Sequence, residues 1–402
     1  MSRRWCRGIG GGIVAVGISD DLKTVNDAGR PDRRLALGRI AELLERNGID
    51  VDEIGTIKRV SLYQSLTKNE DGEAEIHDLT AVQLSPAWAE GPSWPVVQPA
   101  APTIIKPTTV KSIQRDTKVT VILPDPQIGY RRLHDGEMIA THDEQAIDVA
   151  LQITKEVRPD VIVNLGDTID LPEWSSKFLV LPEFVLTTQP TIDYAHRFLA
   201  RQRAIAPNAE IHLLEGNHDK RMGMAVAKNA MAALRLRQAE TPEGWPVLSI
   251  PFLLRLDDLG VNYVGAYPAG RIQLTRGGNG ITALTAVHGE KLDMAKVART
   301  ERQSFVQGHI HRQAIHCETY EVNGSPETVV AFSPGCLCRV DGAVPSTKSG
   351  EDSMGRPVTR WEGWQQGMAV ITEEPDGYWF VEMVHINHGR AIYRGKSYGV
   401  SE

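Results

Sequence analysis

The sequence predicts an α/β protein: two packed sheets flanked by helices, preceded by a small α+β module. Three observations carry this expectation. Between Lys118 and Gln238, apolar strand-like runs alternate with helical stretches, the order that builds parallel sheet through crossover connections. After residue 250 the chain turns mostly to strands: GVNYVGA, GRIQLT, ITALTAV, TVVAFSP, GMAVIT and YWFVEMVH. Five apolar runs (VTVILP, DVIVNL, EIHLLE, ITALTAV and SFVQ) open directly into clusters of Asp, Asn, Gln or His. Strands that end this way deliver polar side chains to the carboxyl edge of a sheet, where open α/β folds bind ligands.

The elements follow in order. Residues 1–30 are expected to be a flexible N-terminus. Ser2-Arg3-Arg4-Trp5 and the stretch GIGGGIVAVG loosely imitate a twin-arginine export signal. The apolar stretch is short and weakened by glycine, and no A-x-A site follows, so the cytoplasm is expected. Residues 31–90 read as a helix plus a β-hairpin: Leu35, Ile40, Leu43 and Leu44 share a helical face, and IKRVSLYQSL and AEIHDLTAVQL flank the turn KNEDGE. Residues 91–117 are proline-rich and read as a semi-rigid linker. The main domain is expected over 118–392, with a tail at 393–402. Within it, Asp143 caps a helix through about Val157, ended by Arg158-Pro159. Further helices are expected at about 192–206 and from Lys220 to Gln238.

Composition bounds the function. The chain has 402 residues, 41% apolar and 24% charged, and a formal net charge of −7. These values fit a soluble globular protein without general attraction to nucleic acid or anionic membrane. No run reaches the length of a membrane span. The four cysteines contain no CxxC pair, which disfavours a disulfide framework or zinc ribbon. Cys336 and Cys338 flank Leu337 and read as small residues on one face of a strand or turn.

The polar clusters are Asp125-Pro126-Gln127, Gly166-Asp167-Thr168-Ile169-Asp170, Gly216-Asn217-His218-Asp219, His288-Gly289 and Gly308-His309-Ile310-His311. Carboxylate and amide oxygens together with imidazole nitrogens on one rim read as a site for two divalent metals. A carboxylate in a tight Gly-Asp turn, such as Asp167, can bridge two cations. Each element alone is common in turns and cores; their conjunction, in this order and each after an apolar run, is not.

In these residues the chain resembles the calcineurin-like metallophosphoesterase superfamily, whose pattern is D-x-H, G-D-x-x-D, G-N-H-D/E, a His often followed by Gly, and G-H-x-H. The resemblance covers about residues 118–390. It implies a four-layer α/β/β/α sandwich and a dimetal hydrolase of phosphoesters. It places Asp125, Gln127 and His311 on the first metal, Asp167 as the bridge, and Asn217, His288 and His309 on the second. It makes His218 and Asp219 the catalytic residues: His218 acts on substrate, and Asp219, with Asp170, orients histidines. Arg221 is the candidate substrate contact.

Gln127 departs from the family histidine, as in phage-type relatives that carry D-P-Q. An amide oxygen is a weaker ligand than imidazole for zinc or iron. The expected cofactor is therefore two Mn²⁺, with Mg²⁺, Zn²⁺ or Fe²⁺ as alternatives. The protein Ser/Thr phosphatases of the superfamily have Arg after the second Asp of GDxxD and have GNHE. Here Leu171 and GNHD stand instead, and resemble phosphodiesterases, nucleases among them. The expected substrate is a phosphoester such as DNA or a nucleotide. A phosphomonoesterase or nucleotide hydrolase, and an inactive scaffold for protein binding, are the alternative readings.

Overall fold

The computed structural model describes residues 6–7, 13–14, 40, 42–48, 54–68, 74–86, 115–175, 182–241, 243–345, 358 and 360–399. The chain divides into two units, Met1–Pro102 and Thr103–Glu402. In the first, β1 (Cys6–Arg7) pairs antiparallel with β2 (Ile13–Val14), a contact inside the segment expected to be flexible. Residues 42–46 are helical, and β3 (Ile54–Lys68) pairs antiparallel with β4 (Ala74–Pro86), giving the expected helix and hairpin. The linker expected at 91–117 lies mostly outside the described residues.

The second unit is mixed α/β. Its strands and longer helices are β5 (Lys118–Leu123), β6 (Tyr130–Arg132), β7 (Met138–Ala140), α1 (Glu144–Val157), β8 (Val161–Asn164), α2 (Thr188–Ile205), β9 (Glu210–Leu214), α3 (Arg221–Asn229), β10 (Val261–Val264), β11 (Arg271–Gln273), β12 (Leu284–Val287), α4 (Met294–Glu301), β13 (Ser304–Gln307), β14 (Gln313–Val322), β15 (Ser325–Pro334), β16 (Gln366–Glu373), β17 (Trp379–Ile386), β18 (Arg390–Tyr393) and β19 (Lys396–Gly399). One sheet has the order β10-β9-β8-β5-β16-β17 and the other β11-β12-β13-β15-β14. In the first, β5, β8, β9 and β10 run parallel, β16 runs antiparallel to β5, and β17 antiparallel to β16. In the second, β12, β13 and β15 run parallel.

Burial follows the period-2 rule. Val121 and Leu123 of β5, with Ile162, Ile211 and Leu213, join Ala146, Ile147 and Ala150 of α1 and Phe198 and Leu199 of α2 in one cluster. The intervening Ile122, with Val163, Ala369 and Ile371, instead joins Leu284, Ala286, Val306 and Phe332 of the second sheet. Phe305, Val329 and Ala331, on the other face of that sheet, cluster with Met294 and Ala298 of α4. Strands covered on both faces explain the continuous apolar runs. Polar links cross the interior: Asn164 and Gln202 exchange amide hydrogen bonds of 2.9 and 2.8 Å, and Trp379 donates to the Thr282 carbonyl at 2.9 Å.

Asp143 caps α1 by accepting from the Gln145 and Ala146 amides, and Arg158 ends it at φ 50°. Two expectations change. The helix expected to Gln238 stops at Asn229, and a short 3₁₀ turn follows at Met231–Ala233. Residues 393–402 are not simply a tail, since β18 and β19 form a hairpin that adds Ala391, Tyr393 and Tyr398 to the core containing α1.

Candidate metal centre

The parallel strands β5, β8 and β9 release their chain at one edge of the first sheet, and β12 and β13 do the same in the second. Asp125, Asp167, Asn217–Asp219, His288 and His309–His311 all follow such strand ends. Their loops are interlocked. Gln127 and Ile128 donate to the carbonyls of Asp167 and Thr168 at 3.0 Å each, and the His218 amide donates to Asp167 Oδ1 at 2.8 Å. The His309 amide donates to Asp125 Oδ1 at 3.0 Å, tying the second sheet to the first.

Close approach requires glycine at these turns. A Cβ on Gly216 would stand 2.1 Å from Asp167 Oδ1, and one on Gly308 would stand 2.3 Å from Asp125 Oδ2. Five candidate ligands also hold left-handed backbone: Asp125 (φ 40°), Gln127 (41°), Asp167 (45°), His309 (65°) and His311 (54°). Such conformations cost about 1–3 kcal/mol each in a non-glycine residue and concentrate where function demands them.

The side chains converge. His311 Nε2 lies 3.3 Å from Asp125 Oδ1 and 3.3 Å from Gln127 Nε2. His288 Nε2 lies 3.3 Å from Asp167 Oδ2 and 3.2 Å from Asn217 Oδ1. Donor atoms of Asp167, His288 and His309 all fall within 4.8 Å of one another. His288 Nδ1 is 2.9 Å from the Leu165 carbonyl, which can only accept, so the proton of a neutral ring sits on Nδ1. That tautomer aims the Nε2 lone pair at two further acceptors, so the cluster demands a cation or an extra proton. Asp125 Oδ2 and Gln127 Oε1 are buried without a protein partner. Oxygen and imidazole donors in this mixture suit hard or borderline divalent cations, so the residues fit the metals that the resemblance implies.

The electrostatics agree. Burial alone would raise the Asp167 carboxyl, yet the His218 and His288 charges hold it well below the usual carboxylate range. Burial opposes the His288 imidazolium, yet Asp167 and then Asp125 raise it to about 10. Burial, reinforced by His288, pushes His309 down. Burial and the Asp167 charge push the Asp219 carboxyl up to about 7.

His218 Nδ1 lies 2.9 Å from Asp170 Oδ1, close as an ion pair though off line for a hydrogen bond, and its Nε2 is 3.7 Å from Asp167 Oδ2. Arg221 also pairs with Asp170 Oδ1. Burial opposes ionisation of Asp170, but Arg221 and then His218 lower its pKa. Asp219 has a different place from the expected one: its carboxylate accepts from the Gly216 and Ile169 amides at 2.8 and 3.2 Å and so fixes backbone. Asp170 is the carboxylate that faces His218.

A cleft of about 820 Å³ opens beside the cluster, lined by Trp174, Asn217, Lys220, Arg221, Lys228 and Tyr267 among others. Trp174 donates to Thr188 Oγ1 at 3.0 Å; Lys177 and Phe178 lie outside the described residues. His134 is exposed, and His142 is buried against Tyr130 and Tyr194. Two contacts were not legible in the sequence: Trp364 edge-on to His311 at 4.2 Å, and Cys338 Sγ 4.0 Å from His311 Nδ1.

No protein-family model matches the chain, and no curated protein matches it.

Proposed function

We propose that the chain is a dimetal phosphodiesterase or nuclease built as a four-layer α/β/β/α sandwich. The layer reading draws on the three apolar clusters: helices α1 and α2 against the first sheet, sheet against sheet, and the second sheet against α4. The observation that carries the functional reading is the convergence of His288 Nε2, Asp167 Oδ2 and Asn217 Oδ1, a group that a cation would satisfy in place of the extra proton on His288.

Asp125, Gln127 and His311 would hold one cation, Asn217, His288 and His309 the other, and Asp167 would serve both. When bound, two divalent ions neutralise phosphoryl oxygens and lower the pKa of a water. Asp170 Oδ1, 2.9 Å from His218 Nδ1, orients that ring at the site's edge, where it would act on the leaving oxygen. Arg221 is committed to Asp170, so it supports that pair as well as lining the cleft. Trp174, Tyr267, Lys220 and Lys228 line the cleft, a mixture of aromatic and cationic side chains that suits a nucleotide or nucleic-acid strand. A diester is favoured over a monoester because Leu171 and GNHD resemble the diesterases of the superfamily, and the cleft that Asn217 lines continues past these groups.

The test is hydrolysis of bis-p-nitrophenyl phosphate by the full chain with Mn²⁺, beside p-nitrophenyl phosphate. We expect Mn²⁺-dependent, chelator-sensitive turnover of the diester. His218→Ala should lower kcat by roughly 10²–10⁴ with metal content unchanged. Loss of metal in that variant would refute the role given to His218. Absence of turnover on both esters would refute the phosphoesterase reading with these probes.

A further inference from the structure

Cys336, Leu337 and Cys338 follow β15 and are fully buried. Their side chains part company, as alternation along extended chain requires. Leu337 belongs to the large core containing α1 and α2, whereas Cys336 and Cys338 share a separate small cluster with Val344 and pack near Trp364. Both thiols are free.

The third member comes from another loop. A ring nitrogen of His311 and the two sulfurs all lie within 4.8 Å of one another, and Cys338 Sγ is 4.0 Å from His311 Nδ1. Around a tetrahedral zinc, with Zn–S of about 2.3 Å and Zn–N of about 2.0–2.1 Å, such donors stand roughly 3.5–3.8 Å apart. Cys338 Sγ and His311 Nδ1 are thus within about 0.5 Å of that spacing, and no pair of the trio exceeds it by more than about 1.3 Å. A further oxygen donor, the Gln365 carbonyl, lies 3.6 Å from Cys336 Sγ.

His311 separates two ligand chemistries. Its Nε2 faces the carboxylate of Asp125 at 3.3 Å, while its Nδ1 faces sulfur. We propose that Cys336 Sγ, Cys338 Sγ and His311 Nδ1 form a separate site for a thiophilic divalent cation, zinc or cadmium, which shares the His311 ring with the oxygen-rich centre. Hard ions such as Mn²⁺ prefer the oxygen-rich side, and soft or borderline ions prefer the sulfurs. On binding, each thiol gives its proton to solvent and the sulfur lone pair goes to the metal. Nδ1 offers its lone pair with the ring proton on Nε2; where Nε2 also holds an ion, the ring gives that proton to solvent and serves both as imidazolate. The proposal rests on these three residues and is independent of any phosphoesterase activity.

The experiment titrates the chelator-stripped full chain with Cd²⁺ and follows thiolate-to-cadmium charge-transfer absorbance. We expect one equivalent to produce the band, Cys336→Ser and Cys338→Ser each to abolish it, and Cys317→Ser, at an exposed thiol, to keep it. Cadmium NMR of the unaltered protein should report two sulfur ligands, which decides the matter even if a serine variant does not fold. No band at one equivalent, a band that survives both serine variants, or a cadmium signal without sulfur ligation would overturn the proposal.

Discussion

Gln127 stands where the family resemblance expects histidine, and it is buried beside His311 with its Oε1 unpartnered. An amide oxygen selects hard cations, so Gln127→His should raise zinc affinity relative to manganese; competition titrations followed by metal analysis would read this. An unchanged ratio would remove Gln127 from the ligand set. His142 offers a pH prediction. Chiefly because of burial, its imidazole is pushed down from an ordinary value near 6.5 to about 4. Between those values the unfolded chain holds a proton that the folded chain lacks, so stability falls as pH drops through that window, by about 3 kcal/mol at most. The His142 ring resonances should titrate near pH 4, and the pH dependence of Tm should flatten in His142→Asn; a midpoint near 6.5 would contradict the burial argument.

At the scale of elements, tight turns decide the site. Gly308→Ala would put a Cβ 2.3 Å from Asp125 Oδ2 and push the carboxylate away from His311. We expect loss of one metal equivalent with little change in circular dichroism; full retention of metal would show that the turn relaxes. Elements with strong periodicity or clear punctuation were legible in the sequence: α1, between Asp143 and Arg158, and the apolar strands of both sheets. The failures have physical causes. In β14 exposed positions alternate with half-buried ones, so a polar run such as HCETYEV carries no core signal. The β18–β19 hairpin is short, and tertiary packing of Tyr393 and Tyr398 supplies what its sequence does not announce. The site's side chains were legible because each directly follows a strand. The His288 tautomer was not, because it depends on the Leu165 backbone carbonyl. The sulfur–His311 cluster was hidden for a similar reason, since its members come together only across the sheet.

For the molecule as a whole, every candidate ligand belongs to the unit Thr103–Glu402. A fragment of residues 103–402 should therefore bind the same number of Mn²⁺ ions as the full chain; loss of both would assign Met1–Pro102 a part in building the centre. The cleft carries Lys220 and Lys228, with Arg221 paired to Asp170, beside Glu173 and Glu290 in a chain of net charge −7, so any attraction of a polyanion is local. Binding of a single-stranded oligonucleotide should weaken steeply with salt, and insensitivity to salt would argue for a small neutral substrate.

The pairing of β5 with β16 has a consequence for biogenesis. β5 lies centrally in its sheet, yet its antiparallel neighbour is not translated until Gln366–Glu373. At translation rates of about 5–20 residues per second, the nascent chain waits roughly 10–50 s with one edge of β5 uncovered. All the candidate ligands of the oxygen-rich centre leave the ribosome within that interval, the last of them at His311. The backbone bonds that close over them, from Leu337 to the Asp125 carbonyl and from Gln365 to that of His311, use residues made after His311. Metal capture would thus have a window before the scaffold is complete, and an early-bound ion would hold Asp125 and His311 together while the exposed edge awaits its partner.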